Sequence, residues 1–134
     1  MIAFHGSSSA LVGAIRINER DSGWFGNGFY ATAFEEYALR WGKVLNTVEL
    51  PEGNYAEVLV EGNYKKVVWQ GLAATADQKA GGSIGWVENE FLYSQNLTKE
   101  LIALGFIGVK VHFGEIKDVE VVVFDASTIR VLPS

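Results

Sequence analysis

Three short segments hold the residue types that do chemistry once brought together: Phe4-His5-Gly6-Ser7-Ser8, Gly26-Asn27-Gly28-Phe29-Tyr30-Ala31-Thr32 and Glu120-Val121-Val122-Val123-Phe124-Asp125. Glu120 is the most informative. It opens an apolar run and, by the alternation of a strand, shares a face with Val122 and Phe124. A carboxylate there is partly desolvated and costs free energy unless something compensates it. It is either a functional acid or a residue at the start of a strand that turns to solvent. Held against a substrate, it would stabilise developing positive charge and exchange protons. His5 stands where a short apolar strand gives way to a polar turn, as a structural hydrogen-bonding side chain or as a donor to a ligand. Gly6 lets backbone approach a flat group closely, because no side chain intervenes, and Ser7 adds a polar contact. Tyr30 and Tyr37 offer aromatic faces that hold a planar ring by offset stacking, or else belong to the core.

The elements that must position these residues are strands at both ends with helices between. Ile2 to Phe4 reads as a strand ending in the His-Gly-Ser turn, Ser7 to Arg20 as a loop, and Asp21 to Gly28 as a glycine-rich loop presenting Trp24 and Phe25. Thr32-x-x-Glu35 has the form of a capping box, and Phe34, Tyr37, Ala38 and Trp41 recur at helical spacing, which predicts a helix from about Ala33 to Trp41 ended by Gly42. Val44 to Leu50, Tyr55 to Val60 and Tyr64 to Gln70 read as strands separated by two Glu-Gly-Asn-Tyr turns. Ala73 to Gly85 reads as a loop, and Trp86 to Gln95 is ambiguous between helix and strand. Asn96 is placed as the cap of a helix whose Leu97, Leu101 and Leu104 share a face and which Gly105 stops. Phe106 to Phe113, Val119 to Phe124 and Thr128 to Leu132 are β-branched core strands. Without strict βαβ alternation, the fold class is α+β.

The 134 residues suit one domain, 1–134, with 49% hydrophobic residues to fill its core. No cysteine is present, which removes disulfides, thiolate metal sites and a cysteine nucleophile. No stretch reaches the roughly 18 apolar residues of a membrane span, and the first residues lack a signal-peptide pattern. A soluble, cytoplasmic protein is expected. The net charge of -5 gives no basic stripe for phosphate backbones. His112 has no partner at metal-ligand spacing, so no metal is expected. Nor does Gly26-x-Gly28 continue into a dinucleotide-fold glycine pattern.

Taken in order, His5-Gly6-Ser7, Gly28-Phe29-Tyr30 and Glu120 followed by Phe124-Asp125 resemble the motifs of the His-Tyr-Glu class of ADP-ribosyltransferases, the branch of diphtheria toxin and the poly(ADP-ribose) polymerases. The small bacterial and phage members are most similar, and the resemblance spans almost the entire chain. It implies two packed, mostly antiparallel sheets with flanking helices. It also implies NAD as a consumed co-substrate, with mono-ADP-ribosyl transfer to an acceptor as the activity. In that pattern His5 donates to a ribose hydroxyl, Gly6 pairs through its backbone with the nicotinamide amide, and Ser7, Tyr30, Ala31 and Tyr37 line the NAD site. Tyr30 stacks on nicotinamide. Glu120 stabilises the cation-like ribose, as carboxylates do in glycoside hydrolysis, and aims the acceptor. A second tyrosine usually lies further along than Tyr37. Gly105-Phe106-Ile107-Gly108 matches a family turn but carries Ile107 where phage-type relatives often have an acid. Glu88 and Glu90 are rival carboxylates, and Arg16, Arg20 or Lys43 could meet the pyrophosphate. The alternatives are an NAD glycohydrolase and a non-catalytic module that binds NAD or ADP-ribose. The acceptor is open, with protein favoured over nucleic acid, and a toxin or phage factor is the expected role.

Overall fold

The computed structural model describes residues 1–8, 10–11, 22–82 and 89–133. The expected loop from Ser7 to Arg20, with Arg16 and Arg20, falls mostly outside the described residues, as do Glu88 and most of the segment from Ser83. The described elements, in chain order, begin with β1 Ile2–Ser7, β2 Ser22–Gly23, β3 Gly26–Asn27, β4 Phe29–Thr32, α1 Glu35–Ala38 and β5 Val44–Glu49. They continue with β6 Tyr55–Glu61, β7 Lys66–Trp69, α2 Ala73–Ala80, α3 Glu90–Ala103, β8 Gly108–Phe113, β9 Val119–Val123 and β10 Arg130–Val131.

Eight strands form one sheet in the order β10-β5-β1-β4-β9-β8-β6-β7, antiparallel except for the β6–β8 pair. The architecture is therefore α+β, and in place of the two packed sheets that the resemblance implies the long strands are hydrogen-bonded into one. The junction is thin. β1 and β4 share a single register pair, Phe4 opposite Thr32, whereas β1 runs alongside β5 from Ile2 opposite Glu49 to Ser7 opposite Val44. A second small sheet, the β2–β3 hairpin, stands where a loop was expected. Its Gly26 has φ of +116°, and a Cβ there would meet the Thr98 hydroxyl at 2.9 Å. The hairpin therefore sits directly on α3, with the Asn27 N–H donating to Thr98 Oγ1 at 2.8 Å.

Strand alternation divides the core between the two faces of the sheet. One face buries Ala56, Val58, Val60, Val109, Val111 and Val122 beneath Leu97 and Leu101 of α3 and the alanines of α2. The other buries Ala3, Phe29, Ala31, Val48, Val121 and Val123. α2 corrects the expected loop from Ala73. Its buried stripe is Ala73, Ala76 and Ala80, small residues that carry helical spacing with little hydrophobic contrast. α3 starts a turn and more earlier than expected, because Asn89 rather than Asn96 caps it, accepting from the Leu92 N–H at 3.0 Å. The expected capping box at Thr32 does not form. The helix is only Glu35–Ala38, the residue before it is Phe34 with no side-chain cap, and Thr32 Oγ1 instead donates to Asp118 while accepting from the Phe34 N–H at 3.3 Å.

Candidate functional site

Glu120, the second residue of β9, lies directly opposite Thr32 on one side and Val111 on the other. Its side chain therefore lies on the α3-covered face, together with Val111 and Val122. A cavity of about 350 Å³ opens there. It is lined by Tyr37, Arg40 and Trp41, by Val60, Asn63, Tyr64 and Phe113, and by Glu115, Ile116, Asp118 and Glu120. Glu120 is 8% exposed, and among the described residues nothing donates a hydrogen bond or ion pair to its carboxylate. Burial, and then the charge of Asp118 two residues earlier, push its carboxyl up to about 7. Asp118 is also raised by burial, opposed by the hydrogen bond from Thr32 and by the charge of Arg40.

Such a carboxyl titrates near neutrality, where it can both accept and donate a proton. Three acidic side chains against one guanidinium make the cavity a poor host for phosphate and a good one for a cation. The Arg40 guanidinium lies over the Tyr37 ring, 4.8 Å from its centroid. Among the described residues no cluster of metal-ligating side chains is present. His112 pairs with Glu57 at 2.9 Å on the opposite, exposed side.

The expected site residues do not all converge. Glu120 and Tyr37 share the cavity; His5, Gly6, Ser7, Tyr30 and Ala31 do not line it. β1 does not end at Phe4 but continues through Ser7, because His5, Gly6 and Ser7 pair with Asn46, Leu45 and Val44 of β5. His5 consequently points to the face away from Glu120, its ring against Phe29 with centroids 4.5 Å apart, and its Nδ1 lies 2.7 Å from the Tyr30 carbonyl across the β1–β4 junction. At two strand spacings, its backbone is about 10 Å from that of Glu120.

Gly6 is glycine for a packing reason: a Cβ there would lie 1.9 Å from the Ala38 carbonyl, so α1 can rest on β1 only if position 6 has no side chain. Ser7 Oγ accepts from Asn46 Nδ2 at 2.8 Å. Ala31 is fully buried on the Phe29 face. Tyr30 lies on the Glu120 face, but its hydroxyl is committed: it donates to the Gly26 carbonyl at 2.7 Å and accepts from the Phe25 N–H at 3.3 Å, closing the β2–β3 hairpin. Glu90 sits exposed in the first turn of α3, outside the cavity, and Lys43 is exposed and does not line it.

Sequence reasoning missed Arg40, Tyr64 and Asp118. Asp118 had a readable signal, since Asp-Val-Glu puts two carboxylates on one strand face. Arg40, three residues past Tyr37, had another. Tyr64 had none, because it reaches the cavity from a turn joining β6 to β7.

No family model matches the chain and no curated protein matches it. Among solved structures, one titled "Crystal structure of an anti-CRISPR protein" is similar, with a TM-score of 0.51 and 22% sequence identity over 98% of this chain and 95% of that one. That likeness shows a shared fold over nearly the full length of both chains.

Proposed function

We propose that the chain is a mono-ADP-ribosyltransferase of the His-Tyr-Glu type, cleaving NAD at the bond between nicotinamide and ribose and passing ADP-ribose to an acceptor. The observation that carries this reading is Glu120, a buried carboxylate that lies on the wall of an aromatic, acidic cavity and has no hydrogen-bond or ion-pair partner among the described residues. Leaving a carboxylate unpaired in a fold is costly, and such groups cluster at functional sites. The cavity is at the small end for ligand sites, so it takes one half of the dinucleotide. Its acidic lining selects the cationic nicotinamide end and leaves the pyrophosphate outside. As that bond breaks, the electron pair leaves with nicotinamide and positive charge develops on the ribose. Ionised Glu120 stabilises that charge and then accepts the proton of the incoming nucleophile. The order of His5, Tyr30 and Glu120 along the chain supports the family assignment. A role as a phage factor acting on a host component belongs to the same proposal, supported by the fold shared with an anti-CRISPR protein.

One observation favours a second reading, a non-catalytic module that binds NAD or ADP-ribose: His5 faces Phe29, away from the cavity. Incubating the protein with NAD labelled in the ADP-ribose half, with and without cell lysate, separates the possibilities by mass. Label on a lysate component is expected. Free ADP-ribose formed without lysate would instead make the protein a glycohydrolase, and intact NAD in every incubation would leave the binding module.

A further inference from the structure

The turn joining β6 to β7 holds three successive residues in the left-handed region, Gly62 with φ of +62°, Asn63 with +55° and Tyr64 with +68°. Glycine and asparagine are at ease there, but a tyrosine is not. A bulky residue held in that conformation in an exposed turn is over-determined by its surroundings. The ring of Tyr64 stacks on Phe25 with centroids 6.3 Å apart at 27°, and meets Phe113 edge-on at 6.2 Å. Phe25 is in turn fixed by Tyr30, whose hydroxyl bonds both the Phe25 N–H and the Gly26 carbonyl. Tyr64 still keeps 38% of its surface exposed, lines the cavity beside Asp118 and Glu120, and its hydroxyl makes no hydrogen bond among the described residues.

We infer that Tyr64, delivered by the β6–β7 turn and braced from behind by Phe25 and the Tyr30 hydroxyl, is the aromatic platform for the planar ring of the ligand in the Glu120 cavity. Tyr30 is then a positioning residue rather than the stacking one. The inference rests on the NAD reading of the cavity and assigns within it which side chain meets the ring. Burial and the charges of Glu120 and Asp118 hold the Tyr64 hydroxyl in its protonated form. In that form it can donate a hydrogen bond to a carboxylate or to a polar substituent on the ring.

The test follows tyrosine ring signals by NMR during titration with nicotinamide, alongside nicotinamide release from NAD by Tyr64→Phe, Tyr64→Ala and Tyr64→Gly. Glycine is at home at φ of +68°, so Tyr64→Gly removes the ring while relieving the turn. Loss of function in that variant therefore cannot be laid to an unfolded turn. The Tyr64 signals are expected to shift, with KM raised roughly threefold to tenfold in the Ala and Gly variants, kcat within about twofold and the Phe variant close to the parent. Stationary Tyr64 signals while those of Tyr37 move, or a parental KM in both Ala and Gly variants, would overturn the assignment and leave the NAD reading intact. If no tyrosine signal moves and the parent protein releases no nicotinamide, the NAD reading falls and takes the assignment with it.

Discussion

Replacing Glu120 by glutamine should make the protein more stable, and by an amount that depends on pH. The carboxyl titrates at its ordinary 4.5 in the unfolded chain and at about 7 in the fold. Below 4.5 both states hold the proton and the site contributes nothing. Between the two values the unfolded chain ionises first, and the fold loses stability as pH rises. Above about 7 both are ionised and the entire difference weighs against the fold. At 1.36 kcal/mol for each pH unit between those values, the buried charge costs about 3 kcal/mol at pH 8, and under about 1 kcal/mol at pH 5. Glutamine has nearly the same shape and no charge, so Glu120→Gln recovers that difference. Urea unfolding of both proteins from pH 5 to pH 8 measures it. A gap that widens to about 3 kcal/mol, on the order of 10 °C in Tm, is expected. A gap that stays flat with pH, or a glutamine variant less stable at pH 8, would show that the carboxylate is not an uncompensated buried charge. Stability given up at one residue is a common signature of a group kept for activity.

Four further outcomes follow from the same geometry. The kcat/KM for nicotinamide release should rise with pH through about 7, since only the ionised form of Glu120 stabilises the ribosyl cation; a profile flat from pH 5 to 9 would contradict this. Asp118→Asn removes the like charge beside Glu120 and should move that midpoint to lower pH, which the same pH series reads. Gly6→Ala drives a methyl into the Ala38 carbonyl and should cost roughly 3 kcal/mol in urea unfolding; a loss under about 0.5 kcal/mol would mean that α1 does not rest on β1. Tyr93→Phe leaves the buried Asp77, which accepts the Tyr93 hydroxyl at 2.5 Å, without that donor, and should cost about 1–3 kcal/mol by the same measurement.

The core strands were readable because Val44 to Glu49, Gly108 to Phe113 and Val119 to Val123 are short β-branched runs between turn residues. β1 was read three residues short, since Gly6 and Ser7 have little strand propensity of their own. Their pairing with Val44 and Leu45, distant in sequence, decides their conformation. The same override placed His5 on the Phe29 side, where a turn had been expected to free it. α2 hid because its buried positions are alanines. Glu120 and Tyr37 stand out by local pattern, and Asp118 and Arg40 carry spacing signals of the same kind. Tyr64 depends on a turn folding over the end of the sheet, a tertiary fact with no local signature. The Tyr30 hydroxyl fixes the β2–β3 hairpin, and the glycines before it are explained by contact with α3 and β9.

The role of Glu120 on NAD is decided by nicotinamide release at pH 8 by the parent protein and by Glu120→Gln, with NAD binding followed by calorimetry in both. Release by the parent and a fall of at least a hundredfold in the variant, with NAD still bound, is the predicted result. Equal release by both proteins, or binding of NAD with no release by either, would contradict it.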